Sequence, residues 1–265
     1  MSDISPAGSG APQRQTGDSP TRTKRARIGA VLLILNAAAY VLAEAITAAP
    51  WQNPAYSYSF NYISDLGVPD VARFQGRMVD SPLHTVMNTG FIIHGIIFIL
   101  AAVLLQHAIT RTGPRRTYLV LAVLHGIGIS LVGLFHGSQT AVDDGTAAFH
   151  GLGALLAIGA GNTAAIIVGI HLARNSRHGS GRASGGGRGR GVGWALAGLG
   201  TTGLAAFTYL LATTGTDIDG IPERIAVYTI MVAEALAGIA LLSAQRRQQR
   251  LISETTPLPN TGENS

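Results

Sequence analysis

LHTVMNTGFIIHGIIFILAAVLL, residues 83–105, is the stretch that decides the fold. It contains no Asp, Glu, Lys or Arg. A helix that crosses a bilayer needs about 20 mostly apolar residues, and this run is long enough. Five further stretches read the same way, at 28–49, 118–135, 149–172, 192–213 and 225–244. The chain is 265 residues long, 47% hydrophobic and only 12% charged. A soluble domain carries roughly 25% charged residues, so charge this sparse cannot coat a globule, but it can coat the two ends of a bundle. The fold class expected is therefore all-α: a polytopic, multi-pass membrane protein with an antiparallel bundle of six transmembrane helices. The first stretch also follows a basic segment, as a leader peptide does. Its apolar run exceeds the 7–15 residues of a signal core, so it reads as an uncleaved helix.

The arginines orient the bundle. Arg14, Arg22, Lys24, Arg25 and Arg27 precede the first span, and Arg111, Arg115 and Arg116 separate the second from the third. Arg174, Arg177, Arg182, Arg188 and Arg190 separate the fourth from the fifth, and Arg246, Arg247 and Arg250 follow the sixth. Of the 19 basic residues, this leaves Arg73, Arg77 and Arg224 for the opposite side. There they are outnumbered by Asp65, Asp70, Asp80, Asp143, Asp144, Asp217, Asp219 and Glu223. The positive-inside rule places both termini in the cytoplasm and the protein in the cell membrane.

The domain plan follows. Residues 1–27 and 246–265 read as disordered cytoplasmic tails, and 28–245 as the membrane domain. Residues 50–82 form a lid-like outer loop, and 173–191 a flexible basic cytoplasmic loop. The Gly-Arg run GSGRASGGGRGRGVG at 179–193 reads as a topology signal, not as a nucleic-acid contact, because the same charge sign recurs in every inner segment. Ala165 with Gly169 and Ala197 with Thr201 are small-xxx-small pairs that let helix backbones approach. They suit packing within the chain first, and also suit a homo-oligomer.

The chain has no cysteine, which removes disulfides, thiolate metal sites and cysteine nucleophiles. Its single lysine, Lys24, lies outside any phosphate-loop motif. Chemistry must come from ionisable groups inside the spans, which are expensive in a membrane and usually face the bundle interior. Depth along alternating helices places Glu44, His84, His136 and His150 in one outer stratum, with Asp65 above them in the loop. His94, His125 and Glu234 lie deeper and suit a proton relay.

Several short motifs occur in order along the chain. Ser64-Asp65-Leu66-Gly67 follows an aromatic stretch, and Ser81-Pro82 precedes Met87-Asn88-Thr89-Gly90-Phe91. Gly133-Leu134-Phe135 ends the third span, and His150-Gly151-Leu152-Gly153-Ala154 opens the fourth. Pro222-Glu223-Arg224 precedes the sixth. Together they resemble the bacterial membrane family catalogued as domain of unknown function 998, over about residues 28–245. The resemblance implies an integral membrane bundle and brings no activity with it. The chain departs from the expected pattern after Phe135, where His136-Gly137-Ser138 stands in place of an acidic or proline-bearing turn.

Three functions are compatible with these residues. One is a binder or transporter of a lipid-like or amphipathic small molecule at a polar site near the outer face. Another is a membrane-embedded enzyme. In it Asp65, His84, His136 and His150 would hold zinc, the single cofactor the residues suggest, or Glu44 or Glu234 would act as a buried acid on an isoprenoid-like lipid. The last is a structural or accessory membrane protein in which the polar residues join helix to helix.

Overall fold

The computed structural model describes residues 20–176 and 185–255. Helix α1 covers Pro20–Ala48, α2 His84–Leu105, α3 Thr112–Leu134, the short α4 Gln139–Asp143, α5 Ala147–Asn175, α6 Gly185–Thr213 and α7 Gly220–Thr255. All but α4 are long and apolar enough to cross a membrane, so the six expected spans are present. The helices outrun the apolar stretches. α1 starts at Pro20 and α7 continues to Thr255, because hydropathy marks only the part of a helix that meets lipid. Arg, Lys and Gln are good helix formers and carry the backbone on into water. Ordered helix therefore replaces the disorder expected over 20–27 and 246–255. Residues 1–19, 177–184 and 256–265, the rest of the expected tails and the middle of the basic loop, lie outside the described residues, and helix covers 173–175 and 185–191 of the loop expected to be flexible.

Local sequence explains the helix ends. Pro20, Pro114 and Pro222 all fall in first turns, where the missing N–H has no intrahelical partner to lose. Ser138 caps α4, its Oγ accepting the Ala141 N–H at 3.2 Å.

The six long helices form a closed ring. Each packs on the next in the order α1, α2, α3, α5, α6, α7, and α7 returns to α1. α5 also reaches α7 across the ring. Asn162 on α5 makes that crossing: its Nδ2 donates to the Ala226 carbonyl at 2.9 Å and its Oδ1 accepts from Thr229 at 2.9 Å. The closest approaches use glycine. A Cβ on Gly128 of α3 would lie 2.5 Å from the Ala157 nitrogen and 2.7 Å from the Gly153 carbonyl of α5. Lipid is as apolar as leucine, so this backbone proximity is what drives association in a bilayer. The outward faces carry Leu35, Leu42, Ile96, Leu100, Val120 and Leu211, all exposed in the monomer, as lipid-facing positions must be.

The α1–α2 connection is folded and packed on the bundle. A 3₁₀ turn at Ser64–Gly67 is followed by a hairpin of β1 (Ala72–Phe74) and β2 (Arg77–Val79), paired antiparallel with Arg73 opposite Met78. Gln75 and Gly76 form its turn with φ of 47° and 81°. Trp51, Ile63, Leu66, Val68 and Val79 are buried in one core with Tyr40, Met87 and Phe91 of α1 and α2. The basic loops and both described chain ends gather at the other end of the bundle, where Gln245 Nε2 reaches the Thr23 carbonyl at 3.4 Å.

Candidate functional site

The acidic end is organised by two guanidinium groups. Arg224, in the first turns of α7, is buried with Glu44 of α1. Its Nε and Nη2 stand 3.1 and 3.0 Å from Glu44 Oε1. Nη1 donates to the carbonyls of Tyr58 and Asn61, both at 2.7 Å, and Nη2 to the Tyr56 hydroxyl. Tyr228 completes Glu44 by donating to Oε2 at 2.8 Å. Arg77 does the same for Asp65: its Nε lies 2.9 Å from Oδ2 and its guanidinium stacks 4.1 Å from the Tyr62 ring centroid.

Glu223 of α7 and Asp219 just before it hold the outer loop at two further points. Glu223 accepts the Ile63 N–H at 2.5 Å. Asp219 accepts from Tyr62 Oη at 2.9 Å and from the backbone N–H groups of Gly215 at 2.7 Å and Thr216 at 3.2 Å. Burial pushes the Asp219 carboxyl up, but these donors and the Thr216 hydroxyl outweigh it and hold the group below its ordinary value. Burial drives the Tyr56 phenol up, well above its ordinary range, so it stays protonated and donates to the Tyr62 carbonyl at 2.9 Å. The result is a clasp that fixes the loop on α1 and α7.

This arrangement pairs Glu44 and Asp65, the two carboxylates expected at the outer face, with arginines. Asp65 and His136 still act electrostatically on His150, and His84 on His136, so these groups stay neighbours without their ligand atoms converging. His84 Nδ1 donates to the Ser81 carbonyl at 3.1 Å, and His150 Nδ1 to the Phe135 carbonyl at 2.8 Å. His136 is half-buried, and that burial holds its imidazole below its ordinary value. Among the described residues, the group of His and acid ligand atoms that converges is a different one. Depth arithmetic overlooked rotation: residues on different helices at one level can still face different neighbours.

The converging group is His94 of α2, His125 of α3 and Glu234 of α7, the three deep residues, with ligand atoms all within 4.8 Å of one another. His94 Nε2 lies 3.2 Å from His125 Nε2 and 3.3 Å from Glu234 Oε1. His125 Nδ1 donates to the Ala157 carbonyl at 2.8 Å. Asn36 of α1 donates to Glu234 Oε2 at 3.1 Å and to the His94 carbonyl at 3.2 Å. Tyr40 stands edge-on to the His94 ring, and Phe98 packs 4.4 Å from the His125 ring centroid. All three members are buried, and His94 Nδ1 and Glu234 Oε1 have no hydrogen-bond partner.

Asn36, Arg77 and Arg224 are the partners that sequence reading passed over. Asn36 carried a signal, as an amide in the middle of an apolar span. The two arginines were visible as the rare basic residues on the acidic side.

Two cavities matter. At the basic end, inside the ring, lies a cavity of about 700 Å³ walled by Leu33, Tyr118, Val168, Leu196, Ala237 and Leu241. His171, Arg188, Arg247 and Gln248 also line it, and among the described residues no acid does. A small cavity of about 60 Å³ continues from it, sharing Leu33, Tyr118, Val168, Leu196 and Ala237, and ends against Glu234. At the acidic end a groove of about 500 Å³ between α6 and α7 is lined by Tyr58, Arg224 and Tyr228 among apolar residues.

No curated protein and no solved structure matches the chain. A family model described as "Protein of unknown function (DUF998)" matches residues 36–240. That span begins at Asn36 and takes in Glu44, Asp65, His94, His125, Arg224 and Glu234, so both polar centres lie within the matched region, and the chain belongs to the DUF998 family of unknown function.

Proposed function

We propose that this integral membrane protein binds an anionic, lipid-like amphiphile in the cavity at the basic end of the bundle, which faces the cytoplasm under the positive-inside rule. The observation that carries this reading is the cavity itself: about 700 Å³ inside the helix ring, apolar in its depth, with Arg188, Arg247 and His171 among its lining and no acid among the described residues there. Its volume is that of a pocket for a drug-sized ligand, and its few polar groups are placed to orient one. An acyl or isoprenoid chain suits the Leu and Val walls, and a carboxylate or phosphate suits the two guanidinium groups. The outer groove is a weaker candidate because Arg224 already serves Glu44 and two loop carbonyls.

The test is binding of a fluorescent fatty acid to the protein in mild detergent. One molecule per chain is expected. Val168→Trp, which fills the cavity, abolishes binding. Arg188→Glu with Arg247→Glu weakens it about tenfold or more, the equivalent of about 1.4 kcal/mol. Unchanged affinity in the filled variant would rule the cavity out as the site.

A further inference from the structure

We propose that His94, His125 and Glu234 form a binding site for a divalent transition-metal ion of the zinc class, at mid-depth in the bundle and independent of any amphiphile. The spacing is the first argument. Zinc bound tetrahedrally at about 2.0–2.1 Å from nitrogen or oxygen requires ligand atoms about 3.3 Å apart. His94 Nε2 stands 3.2 Å from His125 Nε2 and 3.3 Å from Glu234 Oε1, two edges of such a tetrahedron. The third pair is within 4.8 Å.

The second argument is the surrounding hydrogen bonds. A carbonyl only accepts, so His125 Nδ1 carries the proton given to Ala157, and the lone pair of that ring is on Nε2, the atom that faces His94. Asn36 holds Glu234 by Oε2 and leaves Oε1 for the centre. Metal-binding histidines and carboxylates are ordinarily oriented in this way, by a carbonyl or amide on the atom that does not ligate.

Charge is the third. Glu44 has Arg224 and Asp65 has Arg77. Glu234 is also buried and lies deeper, yet its partners among the described residues are the Asn36 amide and the His94 imidazole, with His125 nearby. A carboxylate there needs a compensating cation. His94 Nε2 can carry one proton and give it to one neighbour, whereas a divalent ion takes the lone pairs of all three groups together. Two imidazoles and a carboxylate without thiolate match zinc better than calcium or magnesium, which prefer oxygen. Three protein ligands leave a fourth position for water, and a small cavity reaches Glu234.

The experiment is elemental analysis of the protein purified in mild detergent without chelator, followed by titration of the chelator-treated protein with cobalt(II). About one zinc per chain is expected, with cobalt(II) giving the visible absorption of a tetrahedral nitrogen and oxygen site that zinc abolishes. His94→Asn, His125→Asn and Glu234→Gln each remove the signal, and Asn36→Ala weakens binding by about 10–100-fold, as loss of an orienting partner does. The triple variant His84→Ala, His136→Ala, His150→Ala keeps it. Wild-type protein, monodisperse and folded, that takes up neither zinc nor cobalt would overturn the proposal without recourse to any variant. So would metal lost in the triple variant and retained in His94→Asn, which would move the site to the outer histidines.

Discussion

Arg224 touches three separate parts of the chain: Glu44 on α1, the carbonyls of Tyr58 and Asn61 in the outer loop, and its own helix through Gly220. Removing one partner of a buried ion pair strands the other. Arg224→Ala is therefore expected to cost about 3–5 kcal/mol. The measurement is the thermal unfolding midpoint in mild detergent. The double variant Glu44→Gln, Arg224→Met should recover part of the loss, because no uncompensated charge is left. Equal loss in the single and double variants would mean that the loop carbonyls, not the Glu44 pair, carry the stabilisation. Of these residues, the sequence showed that Glu44 is an intramembrane acid and that Arg224 is one of three basic residues on the acidic side. It did not show that they meet, since 180 residues separate them and nothing local links their rotations.

At the scale of elements, the fit of α3 to α5 depends on which glycines face the contact. Gly153 of α5 faces α3, and a Cβ there would lie 2.8 Å from the Gly128 carbonyl and 3.0 Å from the Val132 nitrogen, backbone atoms that cannot swing aside. Gly151, two residues earlier and so on a different face, has nothing within 4 Å. Gly153→Ala should destabilise the fold by about 1–3 kcal/mol, through overpacking. Gly151→Ala should be neutral or stabilising by up to about 1 kcal/mol, through helix propensity. The same unfolding assay reads both, and parallel behaviour of the two variants would refute the contact. The sequence showed small-residue pairs, Ala165 with Gly169 and Ala197 with Thr201, and internal packing was their expected use. Which glycine serves the interface depends on helix rotation. The hairpin of β1 and β2 was not foreseen, because three-residue strands carry too little alternation to read.

The ring itself is a property of the whole molecule. It places the outer loop at one end, and the basic loops with the 700 Å³ cavity at the other. A chain without native cysteine makes this orientation easy to measure. Ser59→Cys and Thr140→Cys should react with a membrane-impermeant maleimide on intact cells, and Thr110→Cys only after permeabilisation. The opposite pattern would invert the bundle and put the cavity on the outer side. The sequence by itself determined the number of spans and their order, and its arginines set the direction expected of each. Those depend on the free energy of moving each segment's side chains into lipid and on where the arginines stop, which are sums over local composition. Only the tertiary structure decided that His94, His125 and Glu234 converge while Glu44 and Asp65 are claimed by arginines. Burying a polar group in lipid forces it to face inward but does not choose its partner. That choice comes from the ring order and from the rotation of each helix, which are set by close packing between segments far apart in the chain.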